Sequence, residues 1–180
     1  MTIKKILTVP NPFLRKEAVP VKNITNEIKQ LLDDMLETMY NAKGIGLAAT
    51  QIKDNRRLIV MDCGKENNRK SEEFIPNPIK MINPRIISAS QSFCEREEGC
   101  LSIPSHYGKV RRPSLVEVNY INENNVSKTI KAQGLLAACI QHEIDHLDGI
   151  LFIDHLSKLK KEIILRKINK NHNKKVLSRD

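Results

Sequence analysis

An α+β domain, with antiparallel or mixed β-sheets packed around a central buried helix, is the fold class that the amino-acid sequence predicts. Three observations predict it. Apolar residues recur at helical spacing from Ile28 to Met39, and four short runs, at 58–61, 81–87, 115–121 and 126–132, read as strands. The stretch from Gly134 to Gly149 is apolar nearly all round for two turns and then turns charged, the pattern of a helix at the centre of a domain with a polar patch facing a cavity. An N-terminal helix, then strands, then a buried central helix, with a further helix at the C-terminal end, place the chain in the α+β class. At 180 residues it fits a single domain, 1–180, able to bury a sizeable core, and no repeat or linker divides it.

In chain order, Leu7–Lys22 carries prolines at 10, 12 and 20, which predicts an extended segment over the surface. Ile28, Leu31, Leu32, Met35, Leu36 and Met39 form one helical stripe, with Thr25 as N-cap and Gly44 as the stop after Asn41-Ala42-Lys43. The Gly44-Ile45-Gly46 loop has neither the G-x-G-x-x-G pattern nor a Walker lysine. Close approach of the backbone to an extended peptide accounts better for its glycines. Leu58–Met61 reads as a buried strand, Cys63–Pro78 as a polar surface excursion, and Met81–Ile87 as a strand despite Pro84. Leu115–Ile121 and Val126–Ala132 flank Asn122-Glu-Asn-Asn125 as a hairpin.

Chemistry enters with His142-Glu143-Ile144-Asp145-His146. Residues four apart on a helix share a face, so both imidazoles can reach one metal ion at about 2.0–2.1 Å. Glu143 projects beside that ion, where a general base for an activated water belongs. The burial of this helix strengthens the reading, because ionisable groups among apolar neighbours need partners. A catalytic metal wants a third protein ligand and an open position. The metzincin pattern H-E-x-x-H-x-x-G-x-x-H fails, since Phe152 stands where the third histidine belongs. Two candidates stay open. Glu162 downstream would complete a thermolysin-like site and a zincin-type metallopeptidase; Cys100 upstream follows a glycine and has Glu97 and Glu98 close by.

Three separated stretches, Gly44-Ile-Gly-Leu-Ala-Ala-Thr-Gln51, Glu98-Gly-Cys-Leu-Ser102 and Gln141-His-Glu-Ile-Asp-His146, together resemble the signature motifs of the bacterial peptide deformylases, in order and in approximate separation. The resemblance runs from about Leu7 to Phe152. It implies a hydrolase that removes the formyl group from N-formylmethionyl nascent peptides and releases formate. It also implies one divalent metal held by Cys100, His142 and His146, with Fe(II) favoured by the resemblance and Zn, Ni or Co compatible with the donor set. Glu143 is then the catalytic base, and the Gln51 side-chain amide and the Leu101 backbone N–H are the oxyanion donors. An apolar slot lined by Ile45, Gly46, Leu135, Ala138 and Cys139 takes the methionine side chain, and Glu98 pairs with Arg112 beneath the site. Two residues depart from the family pattern: Ala138 is smaller than the branched residue common there, and Arg96 replaces an apolar residue. Both bear on the width and side-chain preference of the slot.

Composition bounds the rest. The chain has a formal net charge of +9, and residues 155–180 hold nine Lys or Arg against Glu162 and Asp180. Within that tail Leu156, Leu159, Ile163, Ile164 and Ile168 predict an amphipathic helix to about residue 170, and family resemblance suggests electrostatic attachment to the ribosome. Aromatic residues make up 4% of the chain and the basic excess sits in one tail, which counts against a stacking RNA-binding module. No run of 18 apolar residues exists and the opening segment is broken by Pro10, so neither a membrane span nor a signal peptide is expected. Cys63, Cys94, Cys100 and Cys139 show no C-x-x-C pairing, so no disulfide is expected, and Cys63 and Cys139 read as small buried hydrophobes. A monomer in the cytoplasm of a bacterium, or in an organelle of bacterial descent, fits these features.

Overall fold

The computed structural model describes residues 2–65 and 74–177, and of 171–177 the helical backbone alone. Seven strands run in chain order as β1 (Gly46–Ala48), β2 (Leu58–Met61), β3 (Ile79–Ala89), β4 (Phe93–Cys100), β5 (Ile103–Pro113), β6 (Leu115–Ile121) and β7 (Ser127–Gln133). Three α-helices accompany them: α1 (Asn26–Asn41), α2 (Gly134–Leu147) and α3 (Lys158–Leu177). Five strands form one antiparallel sheet in the order β1-β2-β3-β6-β7, while β4 and β5 make a separate two-stranded ladder. Of the two expected sheet types, the antiparallel one is found; the parallel pairing outside the strands is a bridge between Val19 and Arg56.

The larger sheet lies between two helices, and strand alternation explains why β2 is apolar throughout. Ile59 and Met61 face α2, packing with Met81, Val116 and Val118 against Cys139, Ile140 and Ile144. Leu58 and Val60 face the other way, onto Ile28, Leu32, Met35 and Met39 of α1. Because α2 is covered by the sheet, it is apolar on most sides, as its sequence requires.

The N-terminus of α1 is capped as expected, Thr25 Oγ1 accepting from the Ile28 N–H at 3.4 Å. Its C-terminus differs by one residue from expectation. Lys43, not Gly44, takes the left-handed conformation (φ 56°). The Gly44 N–H then reaches Met39 O at 2.9 Å and the Lys43 N–H reaches Tyr40 O at 2.9 Å, the two bonds of a Schellman motif. Gly44 is needed for space instead: a Cβ there would lie 2.7 Å from Leu101 Cδ1.

β4 and β5 carry no clear strand signal in the sequence. Most of β4 is exposed and charged, with Glu98 its buried position, so apolar alternation is absent. Pro84 is tolerated within β3 because the register shifts between Ile82 and Arg85, and Asn83 (φ 52°) at that bulge exchanges hydrogen bonds of 2.8 Å with the Val21 backbone. The segment Leu7–Lys22 is not extended throughout: Pro12–Arg15 forms a 3-10 turn that buries Leu14. Of the Cys63–Pro78 excursion, residues 66–73 fall outside the described residues. Its neck is closed by Asp62, whose Oδ1 accepts the Gly64 and Asn77 N–H groups at 2.8 and 3.0 Å.

The basic tail does form a helix, longer than predicted, and its apolar face is shifted. Ile164, Leu165 and Ile168 pack with Leu156 onto Leu14, Ile103 and Phe152, whereas Leu159 is 69% exposed and Ile163 44% exposed. Asp154 ties this end of the molecule together, accepting from Arg15, from Lys161 Nζ at 2.7 Å and from the Leu151 N–H at 2.8 Å. Burial opposes its charge, but the Arg15 and Lys161 partners prevail and hold its pKa at about 2. A depressed carboxylate contributes stability above its unfolded pKa and loses it as pH falls through the folded value. Asp154→Asn is therefore expected to lower Tm at pH 7 by about 2–4 °C for each kcal/mol lost, with the difference from wild type vanishing as pH approaches 2, as followed by thermal denaturation.

Candidate active site

His142 and His146 lie one turn apart on α2, their ring centroids separated by 5.0 Å. Both are buried, and His142 stacks on Phe152 at 6.4 Å. Cys100 reaches them from the end of β4, where an irregularity between Gly99 and Cys100 turns the strand. Its Sγ stands 3.0 Å from His146 Nε2, and the ligand atoms of Cys100, His142 and His146 all lie within 4.8 Å of one another. Tetrahedral bonds of about 2.0–2.3 Å would put such donors roughly 3.5 Å apart, so the trio fits one transition-metal cation. Glu162 is elsewhere, on α3, 3.8 Å from Arg166 and outside this cluster. The thermolysin-like alternative is thereby corrected: α3 docks against the 3-10 turns and β5 side of the molecule, away from the histidine pair.

Glu98 orients the site from below. Its Oε2 lies 2.9 Å from His142 Nδ1, leaving Nε2 of that ring for the cluster. Arg112 of β5 grips the same carboxylate twice, Nε to Oε1 at 2.6 Å and Nη2 to Oε2 at 3.0 Å, and extends Nη1 to Asp145 Oδ2 at 2.8 Å. His155 Nε2 also meets Asp145 Oδ2, at 2.8 Å. The expected Glu98–Arg112 pair is present, and Asp145 and His155 extend it. Burial works against the charge on Glu98, but His142 and Arg112 outweigh it and hold the pKa at about 2. Burial likewise disfavours a charged His142, yet Cys100 and Glu98 hold its pKa well above the usual histidine value. Burial and the charge on His142 push His146 well below it. The Glu98 carboxylate that favours positive charge on His142 would equally favour a cation beside it.

Glu143 projects beside the trio, 4% exposed, and among the described residues its Oε2 has no hydrogen-bond partner. Burial raises its pKa to about 7 against the opposing charge of His142. The room for this carboxylate comes from Gly46, where a Cβ would lie 2.3 Å from Glu143 Oε1 and 2.9 Å from Cys139 Sγ. The glycine expected to admit a peptide thus admits the glutamate.

Gln51 is buried, and the Ala48 N–H donates to its Oε1 at 2.8 Å. That bond turns the NH2 end of the amide toward Ser102 Oγ, at 3.1 Å, and Cys100 Sγ, at 3.6 Å. Thr50, from the same motif, donates to His146 O at 3.1 Å and so fixes the 3-10 turn Ala49–Ile52 to α2. Leu101 occupies the turn between β4 and β5, and the Ser102 N–H lies 3.4 Å from the Cys100 sulfur. The sequence reading missed Thr50, Ser102, Asp145 and His155. Three of them sit within the quoted motifs, but nothing in their spacing shows which way they point. All five candidate pocket residues line one cleft of about 460 Å³, with Ala138 and Cys139 buried at its floor and Ile45 and Leu135 exposed at its mouth. All four cysteines are free thiols.

A helix presenting two imidazoles to a thiol, with a buried carboxylate beside them and a cleft in front, defines the class: a metal-dependent hydrolase. Comparison with known proteins narrows it. Residues 3–162 match the family model of polypeptide deformylase. The peptide deformylase of Rhizobium meliloti (strain 1021) is 47% identical over 170 residues, 94% of each chain, and that of Pelagibacter ubique (strain HTCC1062) is 46% identical over 177 residues, 98% of this chain and 99% of that one. The crystal structure of peptide deformylase from Ehrlichia chaffeensis in complex with actinonin superposes with a TM-score of 0.87 at 39% identity, covering 95% of this chain and 98% of that one. The chain belongs to the polypeptide deformylase family.

Gly46→Ala is expected to push the Glu143 carboxylate aside. Misplacing a reacting group by about 1 Å can cost on the order of 10²-fold in rate. The loss should appear in kcat, while Tm measured by calorimetry falls far less than for a core truncation.

Proposed function

We propose that this chain hydrolyses the formyl amide of N-formylmethionyl peptides, releasing formate and a free amino terminus. Membership of the polypeptide deformylase family supports the activity, and the convergence of Cys100, His142 and His146 within 4.8 Å is the observation that carries the site assignment. A divalent cation held by these three residues would supply Lewis acidity to the formyl oxygen and to the attacking water. Glu143 accepts the proton of that water and returns it to the departing amine. The Gln51 amide and the Leu101 N–H donate to the oxygen on which negative charge develops. Glu98 holds the His142 ring in one tautomer, and Arg112 holds Glu98. Ala138, Cys139, Ile45 and Leu135 give the methionine side chain an apolar slot.

The cleft also suits an extended peptide main chain. Among the described residues β1 is the terminal strand of the five-stranded sheet and β4 pairs with β5 alone, so two open strand edges border the cleft. An extended substrate satisfies its backbone groups on such edges.

Among metals, Fe(II) is our assignment, with zinc, nickel and cobalt accepted by the same donors. Metal analysis after anaerobic purification checks it. We assign α3, with its cations and its exposed Leu159 and Ile163, to ribosome attachment, and take the catalytic unit to be one monomeric cytoplasmic domain over 1–180. Among the described residues no helix is long and apolar enough to cross a membrane.

Formate release from formyl-Met-Ala-Ser tests the reaction. A chelator should abolish it and added metal restore it. Glu143→Ala should retain bound metal yet lose at least about 10²–10⁴-fold in rate, and Cys100→Ser should lose metal. Near-wild-type turnover by Glu143→Ala would refute the base assignment. Because Glu143 must be ionised to accept a proton, kcat/KM should rise with pH along an acid limb. A cation beside it lowers the pKa, so the midpoint should lie at or below about 7.

A further inference from the structure

β4 brings more to the cleft than Cys100 and Glu98. Residues two apart on a strand share a face, so Arg96 lies on the face of Glu98 and Cys100 and lines the cleft wall. At about 3.3 Å per residue, its Cα stands roughly 13 Å from that of Cys100. Among the described residues Arg96 forms no ion pair, whereas Arg15, Arg56, Arg57 and Arg112 each hold a carboxylate. Glu98 is already engaged by Arg112 and His142, while Glu97, in register with Lys109, lines the same cleft and forms no ion pair among the described residues. Just past the end of α1, Lys43 is exposed, lines the same cleft and likewise forms no ion pair among the described residues. The Schellman turn holds its backbone there. Beside this part of β4 the Tyr107 ring lies against Gly99 and is 66% exposed. The exposed lining of the cleft therefore carries two cations, Arg96 and Lys43, against one carboxylate, Glu97.

A formylated peptide whose reacting carbon sits at the Cys100–His142–His146 trio extends outward by about 3.3 Å per residue, which brings its third and fourth residues within reach of a long side chain at Arg96. We infer that Arg96, aided by Lys43, selects peptides bearing acidic side chains at positions three and four. This departs from the methionine slot, which reads position one. It also gives a role to Arg96, a residue at which the chain differs from the pattern its family resemblance predicts.

The inference rests on the cleft being the formyl-peptide site, and the two fail separately. The test compares kcat/KM for C-terminally amidated formyl-Met-Ala-Xaa-Xaa with Xaa as Asp, Ser or Lys. At low ionic strength the wild-type enzyme should favour the Asp over the Lys peptide by about tenfold, a ratio that combines attraction with like-charge repulsion at exposed sites. The difference should sit in KM, since the contact is remote from the reacting carbon. It should shrink in about 1 M salt, where screening acts over about 3 Å. Arg96→Gln should bring the ratio close to one and Arg96→Glu should invert it. Arg85→Gln, which removes the same charge from an exposed position on β3 away from the cleft, should leave the ratio as in wild type. A flat charge series in wild type with normal turnover of the Ser peptide, or a preference that survives Arg96→Gln, overturns the inference. Absence of formate from every peptide would instead overturn the functional reading.

Discussion

The carboxylate of Glu98 is the constraint on which the site depends. It is buried, doubly held by Arg112 from β5, and placed 2.9 Å from His142 on α2. A buried charge of this kind is costly unless every lone pair finds a donor, and here each oxygen has one. The consequence is geometric. Glu98 lies two residues before Cys100 and both side chains meet histidines of α2, so fixing one carboxylate against α2 also fixes the height of the thiol opposite the two imidazoles. Strand, partner strand and helix are locked by one side chain.

The five-stranded sheet supplies the rigidity behind that lock. With α1 on one face and α2 on the other, Ile59 and Met61 serve one core while Leu58 and Val60 serve the other. A helix embedded in this way cannot rotate its histidines out of register without opening a close-packed interior. The motif around Gly46 and Gln51 belongs to the same scaffold: Thr50 bonds to the α2 backbone, and Gly46 leaves the volume that Glu143 occupies. Placing the Glu143 carboxylate is a packing problem that Gly46 solves by lacking a side chain.

How much of this was legible in the sequence depended on whether the information was local. Helical spacing located α1 and α2, and the H-E-x-x-H spacing placed both imidazoles on one face. Neither needs knowledge of a distant partner. β4 and β5 were not visible, because a mostly exposed two-stranded ladder rich in charge lacks the apolar alternation by which strands are read. Leu159 and Ile163 belong to the apolar set that predicts the tail helix, yet both are exposed, since periodicity shows which residues share a face but not whether a surface covers it. Spacing alone left Cys100 and Glu162 both open as a generic third ligand; the family resemblance favoured Cys100, and the fold brings that thiol, not Glu162, to the histidine pair. Asp145 and His155 were missed because hydrogen bonding between side chains ten residues apart leaves no periodic trace.

The Asp62 neck has a separate consequence for engineering and for divergence among relatives. One carboxylate oxygen gathers the Gly64 and Asn77 amides, and the Lys65 N–H bonds to Ile75 O at 2.9 Å, so both ends of the intervening chain are stapled at the base. Loop-closure entropy grows only logarithmically, about 0.6 kcal/mol for each doubling of length. Whatever lies beyond the staple can lengthen, shorten or accept a grafted epitope with little effect on the scaffold, provided Asp62 and the two amides it collects are left in place.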